Sequence, residues 1–82
     1  LTKIYNNFGG IYMPLTFAGL GTEVVVQSIR GTGEVRQHLI DLGFNAGSLV
    51  TVISSLNGNL IVKVKDSRIA LNYEMANKIF CA

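Results

Sequence analysis

His38 and Asp41 stand three residues apart, and a helix there sets an imidazole and a carboxylate side by side on one surface. With the only thiol of the chain, Cys81, they make a nitrogen, oxygen and sulfur donor set of the kind transition metals take. Two neighbouring ligands do not close a coordination sphere, and sequence alone does not bring Cys81 to them. No cofactor is therefore expected to be required. Weak binding of a divalent transition metal is the form a metal role would take.

Covalent chemistry has less to stand on. Cys81 has neither a histidine nor an acid beside it, and a free cysteine is often a small buried apolar residue. Gly19-Leu20-Gly21 and Gly31-Thr32-Gly33 lack the third glycine and the lysine of phosphate-binding loops, so they read as turns. Seven Lys and Arg against five Asp and Glu leave a net charge of +2, without a basic run, which excludes an electrostatic nucleic-acid footprint. Neither an enzyme nor a nucleic-acid binder is expected.

These residues are positioned by short elements. The β-branched run Glu23 to Ile29 predicts a strand. Arg30 to Gly33 breaks it, and Glu34 to Leu42 predicts a helix with Val35, Leu39 and Leu42 on one apolar stripe, Thr32 as N-cap and Gly43 as stop. Ile40 falls well off that stripe, on the solvent side. Leu49 to Leu56 and Leu60 to Asp66 are strands about Asn57-Gly58-Asn59. A two-residue Asn-Gly loop would pair Val52 with Lys63, so a three-residue loop with Asn59 left-handed is expected instead. That register puts Val50, Val52, Leu56, Leu60, Val62 and Val64 inside, and Thr51, Ile53, Ser55, Ile61, Lys63 and Lys65 outside. Ser67 to Leu71 is a further strand, Asn72 caps a short helix from Tyr73 to Lys78, and Ile79 to Ala82 closes the sheet. The fold class is mainly β (α+β): about five strands in a small, strongly bent barrel, which leaves few exposed edges.

At 82 residues the chain has room for one modest core. Residues 1–12, broken by Asn6-Asn7 and Gly9-Gly10, are read as an N-terminal appendage or extension, and 13–82 as the domain. One cysteine allows no intrachain disulfide and suits a reducing compartment. No apolar stretch reaches the roughly 20 residues of a membrane span. A cytoplasmic location without membrane insertion is expected. Ile40, Ile53 and Ile61, on the expected wet faces, are the candidate partner-binding residues if they prove contiguous.

The segment Arg36-Gln37-His38-Leu39-Ile40-Asp41-Leu42-Gly43-Phe44-Asn45-Ala46-Gly47 resembles the signature of the ferrous iron transport protein A (FeoA) family: a helix ending Leu-x-x-Leu-Gly, an apolar residue, then a Pro-Gly turn. Val50-Thr51-Val52, Ser67-Arg68-Ile69-Ala70-Leu71 and the closing Met75-Ala76 and Ile79 also look like the family. The resemblance covers roughly residues 14–81. Ala46 stands where proline is usual, and the Asn57-Gly58-Asn59 tip is shorter than the common loop. The resemblance implies an SH3-like barrel with an inserted helix and an accessory role in bacterial ferrous iron uptake. The implied partner is the cytoplasmic domain of the GTPase-bearing transporter FeoB, and no catalysis is implied. The C-terminal domain of iron-dependent repressors of the DtxR type is similar, so a metal-responsive or metal-binding SH3-like domain is the alternative, with the stand-alone module preferred.

Overall fold

Chain extension follows the β-branched residues, and the strand at Val24, Val25 and Val26 forms where it is expected. The structure is a computed structural model and describes residues 4–5 and 11–82. In chain order the elements are β1 (Ile4–Tyr5), β2 (Ile11–Pro14), a 3-10 turn (Leu15–Phe17), β3 (Glu23–Ile29), α1 (Gly33–Asp41), β4 (Leu49–Leu56), β5 (Asn59–Val64), β6 (Ser67–Leu71), α2 (Tyr73–Ala76) and β7 (Ile79–Cys81). The strands lie in the order β1-β2-β7-β3-β4-β5-β6, and each neighbouring pair is antiparallel. They enclose one core that draws buried side chains from β3 to β7, both helices and Leu15 of the 3-10 turn. This is the expected SH3-like barrel with an inserted helix and a short second one.

The five expected strands are present, and β1 and β2 extend the sheet beyond β7. Of residues 1–12, 1–3 and 6–10 lie outside the described residues. Ile4 pairs with Tyr12 and Tyr5 with Ile11, while Met13 and Pro14 pair with Cys81 and Phe80. Lying between β2 and β3, β7 is buried at all three of its residues, as an inner strand with an unbroken apolar sequence should be.

The β4–β5 hairpin corrects the expected loop. Its turn has two residues: Leu56 pairs with Asn59, and Asn57 and Gly58 take φ of 55° and 83°. Such left-handed values at both central positions suit the twist of a two-residue hairpin, and asparagine and glycine adopt them at least cost. Lysines nonetheless stay out of the core, because β4 carries a bulge. Ser54 pairs with Ile61 and Val52 with Val62, so Ile53 is the extra residue. Beyond it Val50 pairs with Val64, and Val50, Val52, Leu60, Val62 and Val64 are all buried. Leu56, expected inside, lies on the turn side of the bulge and is 73% exposed.

The expected helix phase needs a second correction. Leu39 is fully buried and Leu42 packs on the core, but Val35 is exposed and Ile40 is half-buried. The cause is that α1 is anchored by its last turn only. Gly43, at φ +113°, lets its own N–H reach the Ile40 carbonyl and the Phe44 N–H reach the Leu39 carbonyl. This double bond pattern ends a helix while driving the next apolar residue, Phe44, into the core beside Leu39. The first turns of α1 contribute no buried residue to the core, and Val35 stays exposed. Thr32 occupies the N-cap position, but its side chain makes no capping hydrogen bond. Asn72 does cap α2, its Oδ1 accepting from the Met75 N–H at 2.8 Å.

Candidate functional site

The three candidate metal ligands are not brought together. His38 and Asp41 are exposed on α1, where they line, with Val35 and Met75, an open groove of about 500 Å³. Asp41 is held by its helix neighbour: Gln37 Nε2 donates to Asp41 Oδ1 at 2.8 Å. Cys81 is fully buried in β7, and its Sγ donates to the Met13 carbonyl at 3.4 Å. Among the described residues no three of His, Cys, Asp and Glu gather so as to hold a metal ion.

Burial also removes Cys81 from nucleophilic chemistry. Desolvation of the thiolate pushes the thiol up from 9.0 to about 11, so it is protonated near neutrality. The folded pKa lies above the unfolded one. The stabilisation is therefore fully present below pH 9.0 and is lost as the pH rises through about 11. Denaturant melts of the parent between pH 8 and 11 should show an alkaline loss of stability. Cys81→Ala should lower stability at pH 8 and flatten that loss by up to about 3 kcal/mol. Parallel parent and variant curves would show that the thiol contributes none of it.

The candidate docking residues divide. Ile53 and Ile61 come together on the outer face of β4 and β5, 36% and 43% exposed, because the bulge at Ile53 sits beside the Ser54–Ile61 pair. Ile40 lies elsewhere, in a cleft between α1 and β3. Pairing and period then extend the outer face. Ala70 on β6 is opposite Ile61, and Arg68 is opposite Lys63, which is itself opposite Thr51. The face thus has an apolar end, Ile53, Ile61 and Ala70, and a charged end, where Lys63 and Arg68 are bordered by Glu23, which pairs with Thr51 and lines one cleft with Lys63 and Lys65. Leu56 adds exposed apolar surface at the hairpin tip.

Lys63 and Arg68 are like charges directly opposite on adjacent strands, an arrangement that costs stability in the free domain. Sequence reasoning missed this pair. Its signal was the tight Lys65-Asp66 turn, which pairs Val64 with Ser67 and hence residue 63 with 68. The loop before β3 is tied to the same region, since the Gly21 N–H donates to the Val52 carbonyl next to the bulge at 2.8 Å. Loop and β6 support the face from either side. The face offers apolar surface beside charge, and among the described residues no group of three or more His, Cys, Asp or Glu could hold a metal ion.

Known proteins carry the same fold and sequence pattern. Residues 13–82 match the family described as the FeoA domain. A Methanocaldococcus jannaschii protein named as an Fe(2+) transport protein A is 41% identical over 66 residues, 80% of either chain. Among solved structures, Stenotrophomonas maltophilia FeoA complexed with zinc, described as a prokaryotic SH3 domain protein, superposes with a TM-score of 0.77 at 26% identity. That match covers 85% of this chain and 89% of the other. A manganese-dependent transcriptional repressor shares the fold at a TM-score of 0.78 and 16% identity, over 92% of this chain and 45% of its own.

Proposed function

The chain belongs to the FeoA family of ferrous iron transport accessory proteins, and from that premise we propose that it is a non-catalytic module that docks on the cytoplasmic part of the transporter FeoB. The observation that carries the reading is the outer face of β4, β5 and β6. Partly exposed Ile53 and Ile61 adjoin the opposed cations Lys63 and Arg68. An apolar anchor bordered by unfavourable like charge is relieved by a partner segment carrying apolar and acidic side chains together. Among the described residues no helix is long and apolar enough to cross a membrane. In this reading the module works by docking at the transporter's cytoplasmic side, with a cytoplasmic location.

Calorimetry of the full chain with the cytoplasmic domain of the FeoB transporter from the same organism tests this. Ile61→Asp and Lys63→Glu should each weaken binding by more than about 1 kcal/mol, the first with a melting temperature close to the parent's and the second with one at or above it, since it turns the opposed like charges into an opposite pair. Absence of binding in every nucleotide state, with and without ferrous iron, overturns the docking reading. Unchanged affinity in both variants moves the contact to another face.

A metal-responsive role is the second reading. It is favoured by His38 and Asp41 lining one open groove, and by the zinc complex of the Stenotrophomonas protein. The same calorimetry with ferrous iron alone in the syringe decides it. Heat that falls on His38→Ala supports it, and heat equal to dilution removes it.

A further inference from the structure

The cleft in which Ile40 lies is separate from both the outer face and the His38 groove. It has a volume of about 260 Å³ and opens between α1, the end of β3 and the turn after Phe44. Its chemistry is one-sided. Arg36 supplies the only charge among its lining residues, Gln27 and Asn45 supply amides, Ser28 a hydroxyl, and none of the lining residues is acidic. The half-buried Ile40 and Ile29 give it apolar walls, with Phe44 buried beneath them.

Two backbone devices build this combination. The register of β3 against β7 slips between Val26 and Ser28, so Gln27 is an extra residue bulged out of the ladder, a device that re-aims a side chain. On the other wall, Arg36 and Ile40 are four residues apart on α1 and share one face of the helix. The left-handed Gly43 then turns the chain so that Phe44 enters the core and Asn45 follows at the rim.

We infer that this cleft binds an aliphatic carboxylate, its oxygens on Arg36 and the neighbouring amides and its carbon arm against Ile40 and Ile29. A guanidinium fork matches the planar carboxylate bidentately, and neutral amide and hydroxyl donors complete it. The apolar wall separates this ligand from inorganic phosphate, whose oxygens face every direction and would desolvate against Ile40 and Ile29. The carboxylate comes either from a free organic acid or from a side chain of a docked protein, and both present the same group. The inference needs the chain alone and goes beyond the docking reading.

The test is amide NMR on the full chain, titrated with sodium propionate at constant ionic strength. Saturable shifts are expected at the Gln27 and Asn45 side-chain amides and the Phe44 backbone amide. Arg36→Gln, a change at an exposed helix position, should weaken them at least about tenfold, as loss of a charged hydrogen-bond partner does. Inorganic phosphate should shift the same signals only weakly. Absence of saturable shifts, equal response to phosphate, or full response in Arg36→Gln overturns the inference. Repeating the titration with the FeoB cytoplasmic domain present identifies the source. Propionate displaced by that domain assigns the carboxylate to a protein side chain, and propionate retained assigns it to a free acid. If that domain does not bind at all, the docking reading fails while the propionate result stands.

Discussion

Phe44→Ala should unfold much of the population at moderate temperature, with a cost of about 3–5 kcal/mol, the range for emptying a buried aromatic site. Phe44 is the largest of the fully buried side chains. It also has a second task. Its N–H closes the end of α1 on the Leu39 carbonyl at 3.1 Å, and its ring is what that turn delivers to the core. The barrel cannot collapse onto the void, because Val50, Val52, Val62 and Val64 are held in register by two ladders. A domain of this size has only about 5–10 kcal/mol of stability to lose, so urea midpoints should fall by a third or more. A loss under about 1 kcal/mol would mean that α1 and its turn are not part of the cooperative unit.

Leu39→Ala is the second large effect, about 2–5 kcal/mol by the same cavity argument. Leu39 is the one fully buried residue of α1, so the helix has no other deep anchor. The exposed Val35 cannot substitute for it. Leu39 and Phe44 occupy one core and one helix-ending turn, so their losses should not add. The double variant should cost at least about 0.5 kcal/mol less than the sum, the usual sign of residues that share a packing site. Urea melts of the two single variants and the double variant measure this directly. Strict additivity would separate the helix anchor from the core.

Local side-chain chemistry was enough to place Glu23–Ile29 as a strand, Gly43 as the end of α1 and Asn72 as the cap of α2. A β-branched run, a residue free to take φ +113° and a short oxygen acceptor each act over a few residues. The division of β4 and β5 into core and solvent faces, Leu56 apart, was legible for the same reason: Val alternating with Thr in β4 and with Lys in β5 leaves one face that can be buried. The Asn57-Gly58 pair is itself a two-residue turn signal, in apparent conflict with the face pattern. The two signals conflict only if the ladder is regular, and the bulge at Ile53 satisfies both.

Along with the FeoA-like segment 36–47, the apolar half of the candidate face, Ile53 and Ile61, could be read from the sequence. That Ile40 is not part of it could not, nor that Lys63 faces Arg68. The difference is physical. Whether a residue suits a strand, a cap or a turn depends on its own atoms and its near neighbours, which the chain order states. Where a ladder absorbs an extra residue, and which end of a helix touches the barrel, depend on packing of the whole core. Ile53 and Gln27 are extra residues because the Val50–Val64 and Val52–Val62 pairs on one side of Ile53, with Leu60 on the other, and the buried β7 beside Gln27 bury more apolar surface that way. Val35 is exposed because the only deep anchor of α1 lies at its other end. Those choices sum contacts among residues tens of positions apart, so only the tertiary structure decides them.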